Sequence, residues 1–419
     1  MGGDYSAWRL LHRGWGLGGA WKPAWSKADP KKHYEVVIVG GGGHGLATAY
    51  YLAKNHGLHD VLVLEAGWLG GGNTGRNTTI IRSDYFLEAS GALKEFALEL
   101  WEGLSQELNY NLMVSQRGYV DLAHSDGELE AFTLRANAML LRGSDAAILD
   151  RQALKERVPP LNLDPKARFP IVGALLQERG GTLRHDAVAW AYARAASRLG
   201  VDIIEQCPVT GFEQSGNRIA AVTTAPGTIG ADNVVVSVAG QSSQVAKMAG
   251  FRLPLQSIPV QAFVSEPVKP ALDVVVNFNA GLAYVGQTDK GELVMGGATE
   301  GYPGYRAMGG QAAIEHTAAR IIEMFPFTAK MRLMRQWGGI ADIPMDGNAI
   351  MGATPVDNLT LNAGWGYAGF KATPAVGWTI AQTVAQGRAH PLIAPFALDR
   401  FESGALIDDA GAGPAPWLH

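Results

Sequence analysis

The first clear pattern of apolar and polar positions lies between residues 34 and 67. Residues 36–39, VVIV, form a short apolar run of β-branched side chains, which is typical of a buried parallel strand. Glycines follow at once and lead into a helix that is predicted to end at Gly57. The next apolar run, VLVLEAG, predicts a second strand that ends on Glu65. The pattern therefore predicts a strand, a glycine-rich turn, a helix and another strand.

The glycine-rich turn matches the motif GxGxxG at Gly40, Gly42 and Gly45. The motif alone is weak, but here a strand precedes it, a helix follows it, and Glu65 ends the next strand twenty residues beyond Gly45 (65 − 45). Such glycines let the backbone approach a pyrophosphate at the helix N-terminus, while the carboxylate binds the ribose hydroxyls. An acid at position 65 argues against a 2′-phosphate on that ribose. We therefore predict a dinucleotide site.

The segment AGWLGGGNTGRNTTIIRSDY, which follows Glu65, favours FAD over NAD as the dinucleotide. In a simple NAD dehydrogenase the second strand normally leads into another crossover helix. A long glycine-rich and polar loop instead suits a ligand that extends beyond the adenosine. FAD is therefore the predicted cofactor.

Later segments divide the chain between two domains. A helix at 187–199, the strand VDIIEQ, the hairpin GFEQSGNRIAAVTT and a strand in GADNVVVSVAGQSS return to the nucleotide domain. The segment NLTLNAGWGYAGFKATPAVGWTIAQTVAQG returns to it again. Other segments, such as PVQAFVSEPV and LAYVGQTDKGELVMGGATEG, alternate as strands with hairpin turns. We predict a discontinuous nucleotide domain and a second domain built on an antiparallel sheet.

Composition and charge exclude several classes of protein. A chain of 419 residues suits about two domains. The formal net charge is -4 and no basic stripe occurs, which excludes nucleic acid as a partner. A single cysteine, Cys207, excludes an intrachain disulfide and favours a reducing, cytoplasmic setting. No apolar run approaches the roughly 20 residues of a membrane helix, so no membrane association is predicted.

The N-terminal extension is rich in aromatic and basic side chains. They are Trp8, Arg9, Arg13, Trp15, Trp21, Lys22 and Trp25. Aromatic and arginine enrichment is typical of protein interfaces, so we predict that the extension docks on a partner subunit rather than forming a flexible leader. A secretory signal is not predicted, because charges occupy the place of its apolar centre.

Five motifs spread along the chain carry a family resemblance. They are GGGGHGLATAYYLAKNHG, NTTIIRSDY, RHDAVAW, QWGGIADIPMDGNAI and GWGYAGFKATP. Together they resemble the β subunits of heterotetrameric sarcosine oxidases, which are amine-oxidising FAD-dependent oxidoreductases, and the likeness runs from about Tyr34 to Ile407. The resemblance implies an α/β fold with a glutathione-reductase-type FAD-binding domain and an antiparallel-sheet substrate domain, as in D-amino-acid and sarcosine oxidases.

We accordingly predict four regions along the chain. They are an N-terminal extension at 1–33, an FAD-binding domain at 34–115, 180–248 and 335–400, a substrate domain at 116–179 and 249–334, and a C-terminal tail at 401–419.

The resemblance also implies two flavins. FAD binds without a covalent bond, and FMN is attached to the histidine that this sequence places in RHDAVAW, which is His185. Asp186 is predicted to cap the following helix, so that His185 lies beside a positive helix terminus and next to Arg184. Both effects favour the neutral imidazole, which can attack an electrophilic flavin methyl carbon. The alternative is a histidine that only hydrogen-bonds a carbonyl or packs where the helix begins.

Arg82 and Lys371 fall where the wider amine-oxidase family holds a substrate carboxylate over the flavin ring. A buried carboxylate needs such a partner, and a fixed geometry brings the substrate C–H bond to flavin N5. The alternatives are a surface salt bridge for Arg82 and a contact with the flavin for Lys371. The predicted FAD-binding residues are Gly40, Gly42, Gly43, His44, Gly45, Glu65, Asn73, Thr74, Arg76, Thr78, Val209, Gly366, Gly369 and Lys371. No metal-binding residue is predicted.

The resulting hypothesis is oxidative demethylation of a secondary or tertiary N-methyl amino acid, with sarcosine favoured. Hydride passes to FAD, electrons pass to FMN and then to O2, and the imine hydrolyses to formaldehyde and an amino acid. The resemblance implies an α subunit that carries tetrahydrofolate, with NAD as a further candidate there, and small γ and δ subunits.

Two alternatives stay open at this point. One is an N-methylglutamate dehydrogenase subunit that uses another electron acceptor, and the other is a flavin-binding electron-transfer subunit without amine chemistry. This chain has GYAGFK where relatives commonly have GTGGFK, which places Tyr367 and Ala368 beside Lys371. The altered wall keeps the first alternative open, because a larger substrate side chain would require a reshaped pocket.

Overall fold

A computed structural model describes residues 6–17, 23–26, 28–278, 281–299 and 301–407. In chain order, the strands of these residues are β1 (His33–Val39), β2 (Val61–Leu64), β3 (Ile80–Ile81), β4 (Tyr119–Ala123), β5 (Ala147–Leu149), β6 (Gly173–Gln177), β7 (Gly181–Thr182), β8 (Asp202–Ile204), β9 (Val209–Ser215), β10 (Arg218–Thr224), β11 (Gly227–Val236), β12 (Leu255–Pro267), β13 (Val275–Phe278), β14 (Ala283–Gln287), β15 (Glu292–Thr299), β16 (Leu333–Pro344), β17 (Ile350–Ala353) and β18 (Leu359–Ala363).

The helices of the same residues are α1 (Ala7–Gly14), α2 (Gly43–His56), α3 (Glu88–Glu107), α4 (Asp126–Leu141), α5 (Arg151–Arg157), α6 (His185–Arg198), α7 (Ser242–Met248), α8 (Gln311–Met324), α9 (Thr373–Gln386) and α10 (Arg400–Ser403). Short 3-10 helices lie at Asn73–Arg76, Pro326–Lys330, Phe370–Ala372 and Ala394–Phe396. Across the described ranges, no helix combines the length and the apolar character needed to cross a bilayer.

The first sheet contains the predicted strand, glycine turn, helix and strand. Its order is β17-β18-β11-β1-β2-β8, with β10 and β9 branching from β11. The strands β18, β11, β1, β2 and β8 run parallel to one another. Gly57 ends α2 with a left-handed φ of 67° and Glu65 directly follows β2, so both predicted boundaries are confirmed. Because β1 and β2 are parallel, the glycine turn and Glu65 lie at the same edge of the sheet.

Alternate residues of β1 face different layers, as expected for a strand that is covered on both sides. Val36 and Ile38 pack in a core cluster with residues of α2, α6 and α9. Val37 and Val39 pack in another cluster with residues of β10, β11 and α7. The first sheet therefore lies between a layer of helices and a smaller layer that includes a hairpin.

The second sheet has the order β16-β12-β15-β14-β13-β4-β6-β5. The hairpin β14–β15 and the strand β12 lie where the alternating pattern predicted them. One pair departs from the predicted antiparallel arrangement, since β13 runs parallel to β4. These strands come from distant segments of the chain, so no tight turn fixes their relative direction. Ile321 and Phe325, at α8 and its end, pack against Phe263 and Phe278 of this sheet.

The position of β16 corrects one predicted domain boundary. We predicted that residues 335–400 belong to the FAD-binding domain, but β16 pairs with β12 from Leu255 opposite Pro344 to Ser265 opposite Leu333. Residues 335–344 therefore belong to the second sheet, and the chain rejoins the first sheet at β17. The pattern could not show this, because the alternation within a strand does not identify its neighbour.

A two-stranded sheet links two segments that carry predicted site residues. Ile80 of β3 pairs with Thr182 of β7, and Ile81 pairs with Gly181. Arg82 directly follows β3, and His185 begins α6 shortly after β7. The ladder therefore fixes these two residues relative to each other through the backbone.

The two terminal segments differ in how closely they pack against the rest of the chain. Trp8 and Trp15 at α1 are 71% and 69% exposed, whereas Trp25 packs against the helical core and donates from Nε1 to Glu205 at 3.3 Å. Docking of the extension on a partner stays a prediction, and Trp21 and Lys22 lie outside the described residues. In the predicted tail, Phe401 packs against the core and Ile407 is buried, whereas 402–406 are exposed and 408–419 lie outside the described residues.

Candidate active site

Close backbone contacts shape the glycine turn between β1 and α2. A Cβ atom at Gly45 would lie 2.0 Å from the Gly40 carbonyl oxygen, and a Cβ atom at Gly40 would lie 2.3 Å from the Ser237 carbonyl oxygen. Gly40 also has φ 112°, which other residues rarely adopt. Gly42 is the N-cap of α2, so no side chain caps the N–H groups at the start of this helix. The turn therefore lets helix and sheet approach closely, as a pyrophosphate-binding turn requires.

Glu65 lies beside the glycine turn at the end of β2. Its carboxylate accepts hydrogen bonds from the N–H groups of Gly41 and Gly67, each at 2.8 Å. The N–H of Cys207 donates to the backbone oxygen of Glu65 at 2.9 Å, which brings the segment before Val209 alongside the acid. Cys207 is a free, buried cysteine. This placement fits a carboxylate that binds ribose hydroxyls.

The polar loop folds over the glycine turn. Thr74 accepts a hydrogen bond at Oγ1 from the N–H of Gly43 at 2.9 Å. Asn73 donates to the backbone oxygen of Ile340 at 2.5 Å and accepts from its N–H at 3.2 Å. The side chain of Thr78 hydrogen-bonds Tyr284 of the second sheet. The loop therefore joins the glycine turn to β16, an edge strand of the second sheet, and to β14 within that sheet.

Arg76 completes this junction. Its Nη1 donates to the backbone oxygen of Gly338 at 3.2 Å, and its own backbone oxygen accepts from Nε1 of Trp337 at 2.6 Å. A Cβ atom at Gly339 would lie 3.1 Å from Asn73 Oδ1. Trp337, Gly338 and Gly339 therefore lie where the polar loop contacts β16.

His44 joins the start of α2 to the loop before α9. Its Nε2 lies 2.8 Å from the Gly369 oxygen, its Nδ1 lies 3.1 Å from Asn362 Nδ2, and its ring meets Trp365 edge-on at 5.1 Å. Burial lowers the pKa of His44 to about 4, so the imidazole is neutral near pH 7. A neutral ring can donate to Gly369 while it accepts from Asn362. The side chain therefore holds the Gly366–Gly369 turn in place.

Lys371 is buried at the end of this turn. Its Nζ donates to the backbone oxygen of Tyr367 at 3.1 Å. Burial lowers the pKa of Lys371 well below its ordinary value, and the charges of Arg82 and Lys94 lower it further. Gly366 has φ 49°, a conformation that favours glycine at this bend. An anion bound beside Lys371 would stabilise its protonated form.

Arg82 is held between aromatic rings. Its Nη1 donates to Oδ1 of Asp84, and its guanidinium carbon lies 4.8 Å from the ring centre of Tyr119 and 5.0 Å from that of Tyr85. The side chain of Arg82 is 21% exposed and that of Asp84 is 1% exposed. The alternative of a surface salt bridge is therefore wrong, because the carboxylate partner is buried.

Two charged residues near the site, Asp84 and Lys94, were missed by the sequence reasoning. Lys94 is 4% exposed and its Nζ lies 4.3 Å from the ring centre of Trp365. On α3 it shares a face with buried Leu98 and Trp101, so a lone charge at an apolar helical position was the available signal. Asp84 lies two residues after Arg82, a spacing that places both on one side of an extended segment.

His185 is the first residue of α6 and lies next to the polar loop. Its ring hydrogen-bonds the backbone of Gly75, and its Nδ1 is buried and has no hydrogen-bond partner in the described part of the chain. Burial lowers the pKa of His185, Asp186 opposes this shift, and Arg184 adds to it. Burial is the largest cause, and it acts in the same direction as the predicted effect of Arg184, toward the neutral imidazole.

The predicted N-cap at Asp186 is wrong. The helix begins at His185, Arg184 is its N-cap, and Asp186 lies inside its first turn. The Asp186 carboxylate accepts from Nε of Arg184 at 3.0 Å and from the N–H of Ala187 at 2.8 Å. Because its carboxylate is shared in this way, Asp186 stabilises the helix start from within rather than from the flanking position.

These elements place a nucleotide-binding turn, the buried Lys371 and the partly exposed Arg82 in one region of the fold. A sequence model of the family described as "FAD dependent oxidoreductase" matches residues 35–383. The chain belongs to the FAD dependent oxidoreductase family.

Sequence comparison places this FAD dependent oxidoreductase near a particular group of relatives. It is 54% identical over 415 residues to the sarcosine oxidase subunit beta of Rhizobium meliloti (strain 1021), a match that covers 99% of this chain and 100% of the relative. It is 49% identical over 392 residues to the protein of the same name in Rhodobacter capsulatus, with 94% of each chain covered. These matches confirm the predicted resemblance and an FAD-dependent amine oxidoreductase.

Solved structures confirm the fold of this FAD dependent oxidoreductase. L-proline dehydrogenase from P. horikoshii superposes with a TM-score of 0.84 at 26% identity, covering 90% of this chain and all (100%) of that one. Glycine oxidase from Geobacillus kaustophilus superposes with a TM-score of 0.79 at 21% identity, covering 88% and 99%, and supports the fold alone. The predicted α/β fold with an FAD-binding part and a substrate part is confirmed, and the name "subunit beta" of the sequence relatives implies a multi-subunit complex.

Proposed function

We propose that this chain oxidatively demethylates an N-methyl amino acid and that sarcosine is its substrate. The observation that carries the proposal is the proximity of two basic side chains, Lys371 and Arg82. Burial is the largest cause of the lowered pKa of Lys371, and the charge of Arg82 is the next largest. A substrate carboxylate between them would recover the hydrogen bonds that it loses on leaving water. Its fixed position would direct the N-methyl C–H bond at the flavin.

The protein supports the reaction mainly through charge. Arg82 and Lys94 disfavour a positive charge at Lys371, and Asp84 and Asp121 oppose them less strongly. The same excess of positive charge disfavours protonation of a substrate nitrogen bound there. The amine therefore binds in its neutral form, whose lone pair assists loss of hydride from the methyl carbon, and no dedicated base is needed. The imine product then reacts with water to give formaldehyde and the demethylated amino acid.

FAD fits the turn and loops that the structure presents. The turn excludes side chains at Gly40 and Gly45, and the Glu65 carboxylate lies beside it. Bound FAD supplies the two-electron acceptor that receives the hydride. The residues proposed to hold it are Gly40, Gly42, Gly43, His44, Gly45, Glu65, Asn73, Thr74, Arg76, Thr78, Val209, Gly366, Gly369 and Lys371.

FMN fits His185, which we propose as its covalent attachment point. The buried Nδ1 of His185 has no hydrogen-bond partner within the described ranges, and burial lowers the pKa of the ring, so a neutral nitrogen is available as a nucleophile. The ring contacts Gly75 in the loop that is proposed to wrap FAD. An attached FMN would therefore lie near FAD and could pass its electrons to O2.

The wider assembly is part of the same proposal. We assign the chain to a heterotetramer with an α subunit that carries tetrahydrofolate, and NAD as a further candidate, and with γ and δ subunits, in the cytoplasm. The exposed Trp8 and Trp15 support a partner contact at the N-terminal extension. The proposed domains are an FAD-binding part at 34–115, 180–248 and 345–400 and a substrate part at 116–179 and 249–344.

An anaerobic titration of the assembled, oxidised enzyme tests the substrate. Sarcosine should bleach the flavin absorbance, whereas dimethylamine, which has an N-methyl group but no carboxylate, should not. Lys371→Met should raise the sarcosine concentration needed for half-maximal bleaching by about 10- to 100-fold, the range for a hydrogen bond to a charged group. Lys269→Met, at an exposed lysine, is the matched control and should behave as the unmodified enzyme.

The same titration separates the alternatives. Bleaching by N-methylglutamate and not by sarcosine would favour the alternative of an N-methylglutamate dehydrogenase subunit. The exposed Tyr367 would then belong to the reshaped wall of the substrate pocket. No bleaching by either amine would leave a flavin-binding electron-transfer subunit. For FMN, a mass increment on the peptide that contains His185, and none on the peptide that contains His59, is the expected result. An unmodified His185 peptide from the assembled enzyme would refute the covalent attachment.

A further inference from the structure

Asp84 is the acceptor that holds one end of the Arg82 guanidinium. Arg82 Nη1 donates to Asp84 Oδ1, and within the described residues the guanidinium donates to no other side chain. Arg82 is 21% exposed at its side chain, whereas Asp84 is 1% exposed. The carboxylate is therefore shielded from solvent, whereas part of the Arg82 side chain is accessible. A ligand can reach Arg82 but not Asp84.

Two aromatic rings restrict the guanidinium further. Tyr119 and Tyr85 lie 4.8 Å and 5.0 Å from its central carbon. A planar guanidinium flanked by rings and anchored at one nitrogen has little rotational freedom, which suits the two-point recognition of a carboxylate. Asp84 thereby determines which edge of Arg82 is presented.

Among the described residues, Arg82 is the one hydrogen-bond partner of the Asp84 carboxylate. Its Oδ2 is buried and has no hydrogen-bond partner among the residues that the structure describes. The neighbouring carboxylate of Asp121 is shared among other groups, since it accepts from Asn277 at 2.6 Å, from Tyr119 at 3.2 Å and from Arg135 at 3.3 Å. Asp84 therefore offsets part of the positive charge that Arg82 offers to a ligand.

We propose that Asp84 is a positioning residue that sets, through Arg82, how strongly the site binds a substrate carboxylate. This inference rests on the proposed function, in which Arg82 and Lys371 hold that carboxylate. Ionised Asp84 orients the guanidinium and at the same time weakens its attraction for a second carboxylate. The site consequently binds an amino acid firmly enough to orient it and loosely enough to release the demethylated product, which carries the same carboxylate.

The test separates orientation from charge with two variants of the assembled holoenzyme. Asp84→Asn keeps the shape and one acceptor oxygen but removes the charge, and Asp84→Ala removes both. The probe is acetate at pH 8, and its Kd is read from the change that it causes in the flavin absorbance spectrum. We expect Asp84→Asn to bind acetate about tenfold more tightly than the unmodified enzyme, because the Arg82 guanidinium then no longer shares its charge with a carboxylate partner. Asp84→Ala should bind acetate more weakly than Asp84→Asn.

A split between binding and rate distinguishes this role from a merely structural one. Asp84→Asn should lower the apparent Kd for sarcosine while the limiting rate of flavin reduction stays within about twofold. Asp346→Asn, which neutralises an equally buried carboxylate paired with Arg400, is the matched control and should leave the acetate Kd unchanged. An acetate Kd for Asp84→Asn that equals or exceeds that of the unmodified enzyme would overturn the inference.

A double-mutant comparison keeps the inference testable if Asp84→Asn does not fold. If Asp84 acts through Arg82, then Arg82→Gln and the Arg82→Gln/Asp84→Asn double variant should bind acetate equally. Tighter binding by the double variant would mean that Asp84 acts on the ligand directly and would overturn the inference. Failure of sarcosine to reduce the unmodified enzyme would instead refute the proposed function, so the two failures are distinguishable.

Discussion

Replacing Glu65 by glutamine tests how the chain holds FAD. The Glu65 carboxylate accepts hydrogen bonds from Gly41 and Gly67 at 2.8 Å each. A glutamine keeps one acceptor oxygen but points its NH2 group at the other N–H, and it binds ribose hydroxyls without the help of a charge. A hydrogen bond to a charged group contributes about 1.5–3 kcal/mol, so the weakened contacts predict a loss of about 2–4 kcal/mol, or ~30- to 1000-fold in the Kd for FAD.

The assay is a titration of the apoprotein with FAD, followed by the quenching of flavin fluorescence. Glu99→Gln, at an exposed glutamate of α3, is the control and should bind FAD as the unmodified protein does. Because Glu65 also joins the ends of β1 and β2, the melting temperature of each apoprotein must be measured as well. A folded Glu65→Gln apoprotein whose Kd for FAD lies within threefold of the unmodified value would refute the reasoning.

Three further outcomes are expected. Gly45→Ala should abolish FAD loading, because its Cβ atom would lie 2.0 Å from the Gly40 oxygen. Gly42→Ala should fold, because its Cβ atom would meet only Thr74 Oγ1, at 3.1 Å. A normal flavin content in purified Gly45→Ala would contradict this prediction. Lys371 has a lowered pKa in the folded chain, so the unfolded chain binds its proton more tightly and stability rises as the pH increases toward 10.5. Lys371→Met should flatten that part of a plot of melting temperature against pH, and an unchanged slope would count against it. Arg400→Met should destabilise the protein to urea by about 3–5 kcal/mol, since it strands the buried Asp346 carboxylate. The Arg400→Met/Asp346→Asn variant should recover part of this loss, and equal urea midpoints for Arg400→Met and the unmodified protein would disprove the argument.

The nucleotide-binding turn could be predicted from the sequence because its determinants are local. The apolar run at 36–39, the glycines and Glu65 lie close together in the chain, and each has one conformational role that the structure confirms. A lowered pKa of His185 was predicted from its neighbours, although the largest cause, burial, depends on packing that no local pattern reveals.

The rest of the site depends on contacts between distant segments. Lys94 meets Trp365 across most of the chain, and β16 joins the second sheet through pairing with β12, so neither could be assigned from spacing. Asp186 failed as a predicted N-cap because its carboxylate binds Arg184 as well as the helix backbone. This competition is local, between Asp186 and its neighbour Arg184, unlike the contacts of Lys94 and β16, which join distant segments.

The short pairing between β3 and β7 fixes the positions of both Arg82 and His185. Side chains alternate along a strand, so a slip of one residue in this pairing would turn Arg82 from its present side while it displaced the start of α6. The register of this pairing depends on glycine at position 181, because a Cβ atom there would lie 2.0 Å from the Ser115 carbonyl oxygen. Damage to this pairing would therefore impair two proposed functions together, the binding of the amino acid by Arg82 and the attachment of FMN to His185.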